Sequence, residues 1–211
     1  MKKRFLFMMG ACLLGGGCSD EASESLDNKL GEELSIQPGN GPFGLSYRAG
    51  PSDLDIDPES STPDTGLYLL NSVPSPASEF ETYGAVAFEK VGLCEIRSIT
   101  PQFSNDSLGS SVTTLADKLA DALTSKYGEG EKLDVCGGGS ISCQQQFWAM
   151  SVMNGERVYG YDWKPTHEHI REINLFVTSD NLAQLSLRLD YKIGDEKACE
   201  NALNSVRASN L

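Results

Sequence analysis

A strict alternation of apolar and polar side chains over residues 183–192 constrains the fold more than any other feature of the sequence. The apolar set is Leu185, Leu187, Leu189 and Tyr191, and the polar set is Gln184, Ser186, Arg188 and Asp190. Successive side chains of a β-strand point to opposite faces, so this pattern predicts a strand with one buried face and one solvent-facing face. Strands of this kind are typical of antiparallel sheets.

An amphipathic helix is predicted over residues 112–127. Its apolar positions fall on one face at helical spacing. They are Val112, Leu115, Ala116, Leu119, Ala120, Leu123 and Tyr127. Thr114 and Asp117 fit the spacing of a capping box, and Gly128 fits a left-handed stop. We expect this face to pack on a sheet.

Further strands surround this helix in the prediction. In the first half they cover residues 66–73, 79–89 and 92–100. A short helix start at 51–55 precedes them, with Ser52 as its cap and Asp55 reaching back to it, and a loop covers 58–64. In the second half, Asn154-Gly155 predicts a type I′ turn between strands 145–153 and 156–164. A strand at 169–178, the strand at 183–192 and a closing helix at 195–207 follow.

These elements predict an α+β fold: an antiparallel meander packed by an amphipathic helix. Residues 43–208 form a single domain in this interpretation. In a second interpretation, the halves 43–108 and 109–208 are two degenerate tandem copies of one helix-plus-sheet plan. A domain of this length buries enough surface to fold without a metal or cofactor, so we expect none.

Four cysteines follow residue 18, an even number that suggests two disulfides in an exported chain. The pairing Cys136–Cys143 is favoured because Gly137-Gly138-Gly139-Ser140 makes a pliable loop between them. The pair Cys94–Cys199 then remains. A redox or metal role is the alternative, but the spacing C-x6-C differs from the close pairs of thiolate metal sites.

The N-terminus has the layout of an export signal. Lys2, Lys3 and Arg4 precede an apolar run at 5–14 that is too short to span a bilayer as a mature helix, and small residues lead to Cys18. This layout resembles the signal of bacterial lipoproteins. The resemblance implies removal of residues 1–17 and attachment of lipid to Cys18, so that the protein is held at a membrane through a covalent lipid.

Alternatives to this interpretation are lipidation at Cys12 and an ordinary secretory signal. Gly15 stands where lipoproteins usually have Leu. Ser19, rather than Asp, follows Cys18, which in that class implies the outer membrane, with the domain facing the periplasm or exposed at the cell surface. Residues 18–42 are acidic, polar and rich in Pro and Gly at their end, which predicts a flexible tether.

The chain carries a formal net charge of −13, and loss of the signal with its three basic residues changes this to −16. Such acidity argues against nucleic acid, whose phosphates require clusters of Lys and Arg. The expected partner is therefore an unknown protein or an envelope polymer. An acidic protein is also suited to a basic partner.

The order of elements, with Tyr127-Gly128 closing the helix and Pro42-Phe43-Gly44-Leu45 opening the domain, resembles two groups of small helix-plus-antiparallel-sheet modules. One group is the outer-membrane assembly lipoproteins of the BamE type, and the other is their tandem relatives, the beta-lactamase-inhibitor proteins. The resemblance implies a layout and transfers no binding residues.

Two groups of residues approach metal-ligand patterns without completing them. Asp53, Asp55 and Asp57 have the spacing of a calcium loop, but Pro58 replaces the turn glycine. His167 and His169 share one side of a strand, but Arg171 stands where a zincin would have its second histidine. We therefore predict no metal site.

Tyr159, Tyr161 and Trp163 share one strand face by period two, and Trp148 is predicted on the neighbouring strand. The ordinary interpretation is a core beneath the 112–127 helix; the functional one is an exposed aromatic binding face. No catalytic motif is present. The sequence thus predicts a non-enzymatic binding or scaffold module of the envelope. An inhibitor or immunity protein against a basic envelope hydrolase, and an envelope hydrolase, are the alternatives.

Overall fold

A computed structural model describes residues 39–137, 139 and 141–209, all of which belong to one compact unit. The fold is α+β, as predicted: eight antiparallel strands form one sheet in the order β1-β2-β3-β4-β8-β7-β6-β5. The strands are β1 (Ile56–Thr62), β2 (Leu67–Leu70), β3 (Thr82–Phe88), β4 (Gly92–Ile99), β5 (Glu131–Cys136), β6 (Arg157–Trp163), β7 (Ile170–Ser179) and β8 (Leu185–Ile193). The helices are α1 (Ser110–Tyr127), α2 (Trp148–Met153) and α3 (Glu196–Ser209).

Two four-strand meanders meet in the middle of the sheet, where β4 pairs with β8. The second meander follows α1. The first follows 3-10 turns at Pro42–Gly44 and Pro51–Asp53 instead of a long helix. Among the described residues, no helix is both long enough and apolar enough to cross a membrane.

The predicted helix at 112–127 is confirmed as α1, and it packs against β6, β7 and β8. Its N-terminal cap was predicted wrongly. Asp106 accepts hydrogen bonds from the backbone N–H groups of Ser111 and Val112 at 3.1 and 2.8 Å, so this buried carboxylate satisfies the first turn instead of Thr114. Gly128 ends the helix at a positive φ of +88°, as expected, but its ψ of −177° differs from the left-handed helical conformation that was predicted.

The predicted hairpin at Asn154-Gly155 is wrong. Residues 145–153 form a 3-10 turn and α2 rather than a strand, and Asn154 has a helical φ of −80°. A type I′ turn needs positive φ at both central residues. Strand β6 pairs instead with β5, whose residues were not predicted as a strand.

Most other predicted strands are confirmed with shifted ends, but two further predictions fail. Residues 58–62, assigned to a loop, belong to the edge strand β1. The turn at 51–53 is capped by Gly50, whose N–H donates to the Asp53 carboxylate at 2.9 Å, rather than by Ser52 and Asp55. Of the predicted tether, residues 18–38 lie outside the described part, and Pro42 at its C-terminal end is buried.

Both cysteine pairs lie at disulfide distance in the favoured pairing, with S–S distances of 2.01 Å for Cys94–Cys199 and 1.97 Å for Cys136–Cys143. The first disulfide joins β4 to α3. Around it, Phe88 and Leu203 form a small apolar cluster separate from the main core. The second closes a loop at the end of the edge strand β5.

Candidate functional site

The two faces of the sheet are covered unequally. Helices α1 and α2, together with the segment around Phe43, pack on one face, which we call the covered face. Of the helices in the described chain, only α3 packs on the opposite face, at the end that carries Phe88. We call this second face the open face; it carries Leu69 on β2, Glu95 on β4, Arg188 on β8, Asn174 on β7 and Asp162 on β6.

An ion-pair network occupies the middle of the open face. The Arg97 guanidinium contacts Glu95 at 2.6 Å and Asp190 at 3.5 Å. Arg188 contacts the same two carboxylates, at 3.8 Å to Glu95 and 2.6 Å to Asp190. The Lys192 ammonium completes the set on the second oxygen of Glu95. Glu95 and Asp190 are buried, while the three cations are about one third exposed or less.

The environment keeps Glu95 ionised. Burial opposes ionisation, but the hydrogen bond and charge of Lys192 and the charge of Arg97 outweigh it and hold the pKa of Glu95 below its ordinary value. The carboxylate of Asp190 acts on the other side of the network, where its hydrogen bond raises the pKa of Arg188. Glu95 and Arg188 therefore present opposite charges at neutral pH.

Apolar side chains flank the network on both sides. Toward β2, a cavity of about 150 Å³ is lined by Leu67, Leu69 and Ile99 with the backbone of Gly84. Toward β5, the Phe176 ring lies on Gly160, where an added Cβ would approach Phe176 Cδ1 to 2.5 Å.

Beside Phe176, two exposed apolar residues extend the open face toward the sheet edge, while Asp162 and Glu131 lie further along the same strands. Val158 and Val135 are 45% and 58% exposed and pair across β6 and β5. Large aliphatic side chains that face solvent on a sheet are typical of interaction surfaces.

A cleft of about 330 Å³ lies between α3 and the open face. Arg171 and Lys192 line it, together with Glu95, Glu172, Glu196 and Glu200. Arg171 Nη1 lies 3.6 Å from Glu196, but its Nε is buried and has no hydrogen-bond partner among the described atoms. The cleft thus continues the charged centre of the open face underneath α3.

The four aromatic residues named from the sequence lie on the covered face. Trp163 and Tyr159 are buried beneath α1, Tyr161 is half-buried beside them, and Trp148 is buried on α2 rather than on a strand. The Trp148 and Tyr159 ring centroids are 6.1 Å apart. This placement agrees with the core interpretation and leaves no open aromatic face among these residues.

A polar cluster ties this aromatic core to α1. Both the Tyr159 and the Tyr161 hydroxyl donate to Asp117 Oδ1, at 2.6 and 2.5 Å, and Lys132 lies 3.1 Å from the same oxygen. Burial, followed by the hydrogen bond to Asp117, raises the pKa of Tyr159 to about 12. For Asp117 itself, burial opposes ionisation, but the two hydroxyls and Lys132 hold its pKa below the ordinary value.

The metal candidates are dispersed by the fold. Asp53, Asp55 and Asp57 each accept local hydrogen bonds. The donors are the backbone N–H groups of Gly50 and Glu59 and the side chains of Asn71 and Ser72. In the described ranges, no group of three or more His, Cys, Asp or Glu residues is placed to hold a metal ion.

The two histidines lie just before β7, beside a cavity of about 290 Å³ that Tyr47, Tyr127 and His167 line in part. His167 Nδ1 accepts from the backbone N–H groups of His169 and Ile170, at 3.1 and 3.3 Å. The Tyr47 ring stacks obliquely near His169, with centroids 4.5 Å apart. These contacts stabilise the turn that precedes β7.

Sequence reasoning missed the network of the open face. Its signal was present: charged residues at alternate positions of two strands, at Glu95 and Arg97 and at Arg188, Asp190 and Lys192. The missing knowledge was that β4 pairs with β8 across a gap of about ninety residues, since pairing between distant strands is not encoded in either strand's own pattern. The predicted lipidation residue, Cys18, lies outside the described residues.

Comparison of the chain with family models, with curated proteins and with solved structures finds no match in any of the three. The candidate site therefore rests on its own geometry.

Proposed function

We propose that the protein is a lipid-anchored protein of the bacterial envelope that binds another macromolecule through the open face of its sheet. The observation that carries this proposal is the ion-pair network of Glu95, Arg97, Arg188, Asp190 and Lys192 at the centre of a face that α1 and α2 leave uncovered.

The arrangement has the anatomy of a recognition surface. Arg97 and Arg188 are held by carboxylates in fixed positions, so little side-chain freedom is lost when a partner contacts them. Apolar side chains around Leu69 and Val158 flank the charges, and Arg is enriched where binding energy concentrates. Such charges set orientation and specificity.

Envelope location and lipid attachment are proposed from the sequence. The signal-like residues 1–17 and Cys18 support them, and two cysteine pairs at disulfide distance fit an oxidising compartment. Substitution Cys18→Ser should abolish labelling with a palmitate analogue in the native cells. Cys12→Ser is the matched control and should leave labelling intact. Loss of labelling in Cys12→Ser alone would show that the lipid is attached to Cys12.

Photo-crosslinking tests the binding surface. A photoreactive phenylalanine analogue replaces Phe176 on the open face, where it is nearly isosteric, and Ser125 on the solvent side of α1 as a control. The proposal predicts a discrete heterologous adduct from position 176 and none from position 125. Adducts from position 125 alone, or equal adducts from both, would contradict it.

An inhibitor of a basic envelope hydrolase is a particular form of this proposal. Acidic side chains outnumber basic ones on the open face, since Glu131, Asp162 and Glu172 add to the network's carboxylates. For such a partner, crosslinking from position 176 should fall steeply as salt is raised. A salt-insensitive adduct would exclude it.

The cleft under α3 supports the hydrolase alternative, because four glutamates line it. A general acid requires a carboxyl with a raised pKa, whereas Glu95 has a lowered one. Glu95 is therefore unsuited to the role of general acid, and the ion-pair network of the open face favours binding. Hydrolysis of an envelope polymer that is lost in Glu196→Gln would favour the enzyme instead.

A further inference from the structure

The two edges of the sheet differ in their readiness to pair with another strand. Strand β1 contains Pro58, which cannot donate to a ladder, and its register with β2 shifts between Asp57 and Thr62. Such features protect an edge. Strand β5 has no proline, and all six of its residues pair in unbroken register with β6. Its outer edge is the regular one.

The pairing of β5 with β6 determines which backbone N–H and C=O groups of β5 point away from the sheet. The Gly137 N–H donates to the Glu156 carbonyl at 2.8 Å, and this pair continues the β5–β6 register by one residue. Hydrogen-bonded and non-hydrogen-bonded pairs alternate along an antiparallel ladder. The odd-numbered residues therefore bond to β6, and the N–H and C=O groups of Lys132, Asp134 and Cys136 point away from the sheet.

We propose that two copies of the protein pair through β5 as antiparallel edge strands, with Leu133 on the two-fold axis. A two-fold ladder must set outward-pointing residues opposite each other. An axis at residue 132 opposes Lys132 with its own copy, and an axis at residue 134 opposes Asp134 with its own copy. An axis at Leu133 opposes Lys132 with Asp134 of the second copy, twice.

The charges on the covered side of this ladder are complementary. Lys132 and Asp134 already lie beside ion partners on the covered side, Asp117 and Arg157, so the cross-pairs extend an existing arrangement of alternating charge. Opposite charges directly across an antiparallel pair are favourable, and like charges are not.

On the open side, the half-buried Leu133 meets Leu133 of the second copy. Val135 and Val158, at 58% and 45% exposed, are the largest apolar exposures on β5 and β6. They lie next to this contact, where Val135 is placed opposite Glu131 of the second copy. The dimer thus covers apolar surface that the single chain leaves in water.

The inference extends the proposed function without resting on it. Pairing through β5 would join two eight-stranded sheets into one and set two open faces side by side. A partner bound by both copies would then be held by two linked contacts.

Cysteine scanning of the full chain tests the register. Residues on the axis form a non-hydrogen-bonded pair with Cα atoms about 4.5 Å apart, within the range of about 4.4–6.8 Å that a disulfide spans. Leu133→Cys should therefore yield a disulfide-linked dimer under mild air oxidation with a copper catalyst. Peptide mapping would verify that Cys136–Cys143 stays intact.

Val135→Cys is the matched control, because it lies on the same strand and face and is more exposed. In the proposed register, residue 135 of one copy is offset by four residues along the ladder from residue 135 of the other, a distance of about 13 Å. A disulfide cannot span this distance, so the dimer yield should be at least about tenfold lower. Equal yields from both variants would overturn the proposal. Preferential linkage through Lys132→Cys or Asp134→Cys would overturn the register.

A charge test follows the same pairing. Lys132→Glu alone opposes acid to acid, and Asp134→Lys alone opposes base to base, so each variant should sediment as a monomer at concentrations where the parent chain is dimeric. Their mixture pairs opposite charges at both positions and should recover the dimer. A mixture that stays monomeric while both variants keep the parent's near-ultraviolet circular dichroism would contradict the inference, as would a monomeric parent chain.

Discussion

The covered and the open face of this sheet use polar groups in different ways. On the covered face, polar atoms anchor a helix to an apolar layer: Asp117 on α1 accepts from Tyr159 and Tyr161, and Thr124 Oγ1 lies 3.3 Å from Trp163 Nε1. On the open face, charges of β4 and β8 pair with one another and hold no helix in place.

This difference teaches which residues serve folding and which remain for a partner. A polar atom that fixes a buried aromatic ring contributes to a unique core. Because desolvation offsets much of the attraction between partly buried charges, an ion-pair network adds little net stability, and its place on an uncovered face suits recognition. The same sheet thus separates the two tasks by side-chain alternation alone.

The largest expected difference is between two positions on β6 that face opposite ways. Trp163→Ala removes a side chain that is 1% exposed and should lower the free energy of unfolding by about 3–5 kcal/mol. Val158→Ala on the same strand should change it by less than about 0.5 kcal/mol. Urea denaturation measures both, and similar losses would abolish the distinction between the faces.

Loss of the Cys94–Cys199 link should come next. This disulfide closes a loop of 105 residues, so the double substitution Cys94→Ser/Cys199→Ser should destabilise the domain by about 2–5 kcal/mol. The corresponding change at Cys136 and Cys143, separated by 7 residues, should cost less. Thermal unfolding of both double variants gives the order; the reverse order would show that α3 is not held through its disulfide.

On the covered face, Asp117→Asn should lower the free energy of unfolding by about 1–3 kcal/mol, because it loses charge-assisted hydrogen bonds from two hydroxyls. Burial would still raise the pKa of Tyr159, now about 12, but without the Asp117 charge this pKa should fall toward its ordinary value near 10. Phenolate absorbance during alkaline titration reports this shift. Asp121→Asn on the exposed side of α1 is the control and should leave the titration unchanged.

The smallest effect is expected on the open face. Glu95→Gln should cost about 1–2 kcal/mol, because Arg97 and Lys192 remain partly solvated. Since the folded pKa of Glu95 is lowered, its contribution is present above the unfolded pKa near 4 and is lost as the pH falls through the folded value. Unfolding measured from pH 6 down to pH 2 should therefore decline less steeply in Glu95→Gln. An equally steep decline of the unfolding free energy in Glu95→Gln would show that the network does not lower the pKa of Glu95.

Local pattern was sufficient for α1, for β8 and for the Cys136–Cys143 pair, because each depends on periodicity or loop length within a short segment. The pair Cys94–Cys199 then followed as the two cysteines that remained. It failed at β1, where Pro58 and polar residues suggested a loop although an edge strand tolerates proline. It also failed at 145–153, because an apolar run of this length does not distinguish a strand from a helix.

The candidate site was less predictable than the fold. Aromatic residues drew attention to the Tyr159–Trp163 strand, but aromatic side chains serve cores as readily as interfaces. The open face became visible only when the pairing of β4 with β8 set Glu95 and Asp190 among three cations. Such a site depends on tertiary placement, which no single segment encodes.

The most direct test of the account combines binding and stability in one variant. Val158→Asp is introduced into the chain that carries the photoreactive residue at position 176, and both crosslink yield and unfolding midpoint are measured. Because Val158 is 45% exposed on the open face, the free energy of unfolding should change by less than about 1 kcal/mol. The heterologous adduct should fall at least about tenfold, the loss expected when a charge is desolvated without a partner. An undiminished adduct on a stably folded Val158→Asp chain would contradict the assignment of the open face as the binding surface.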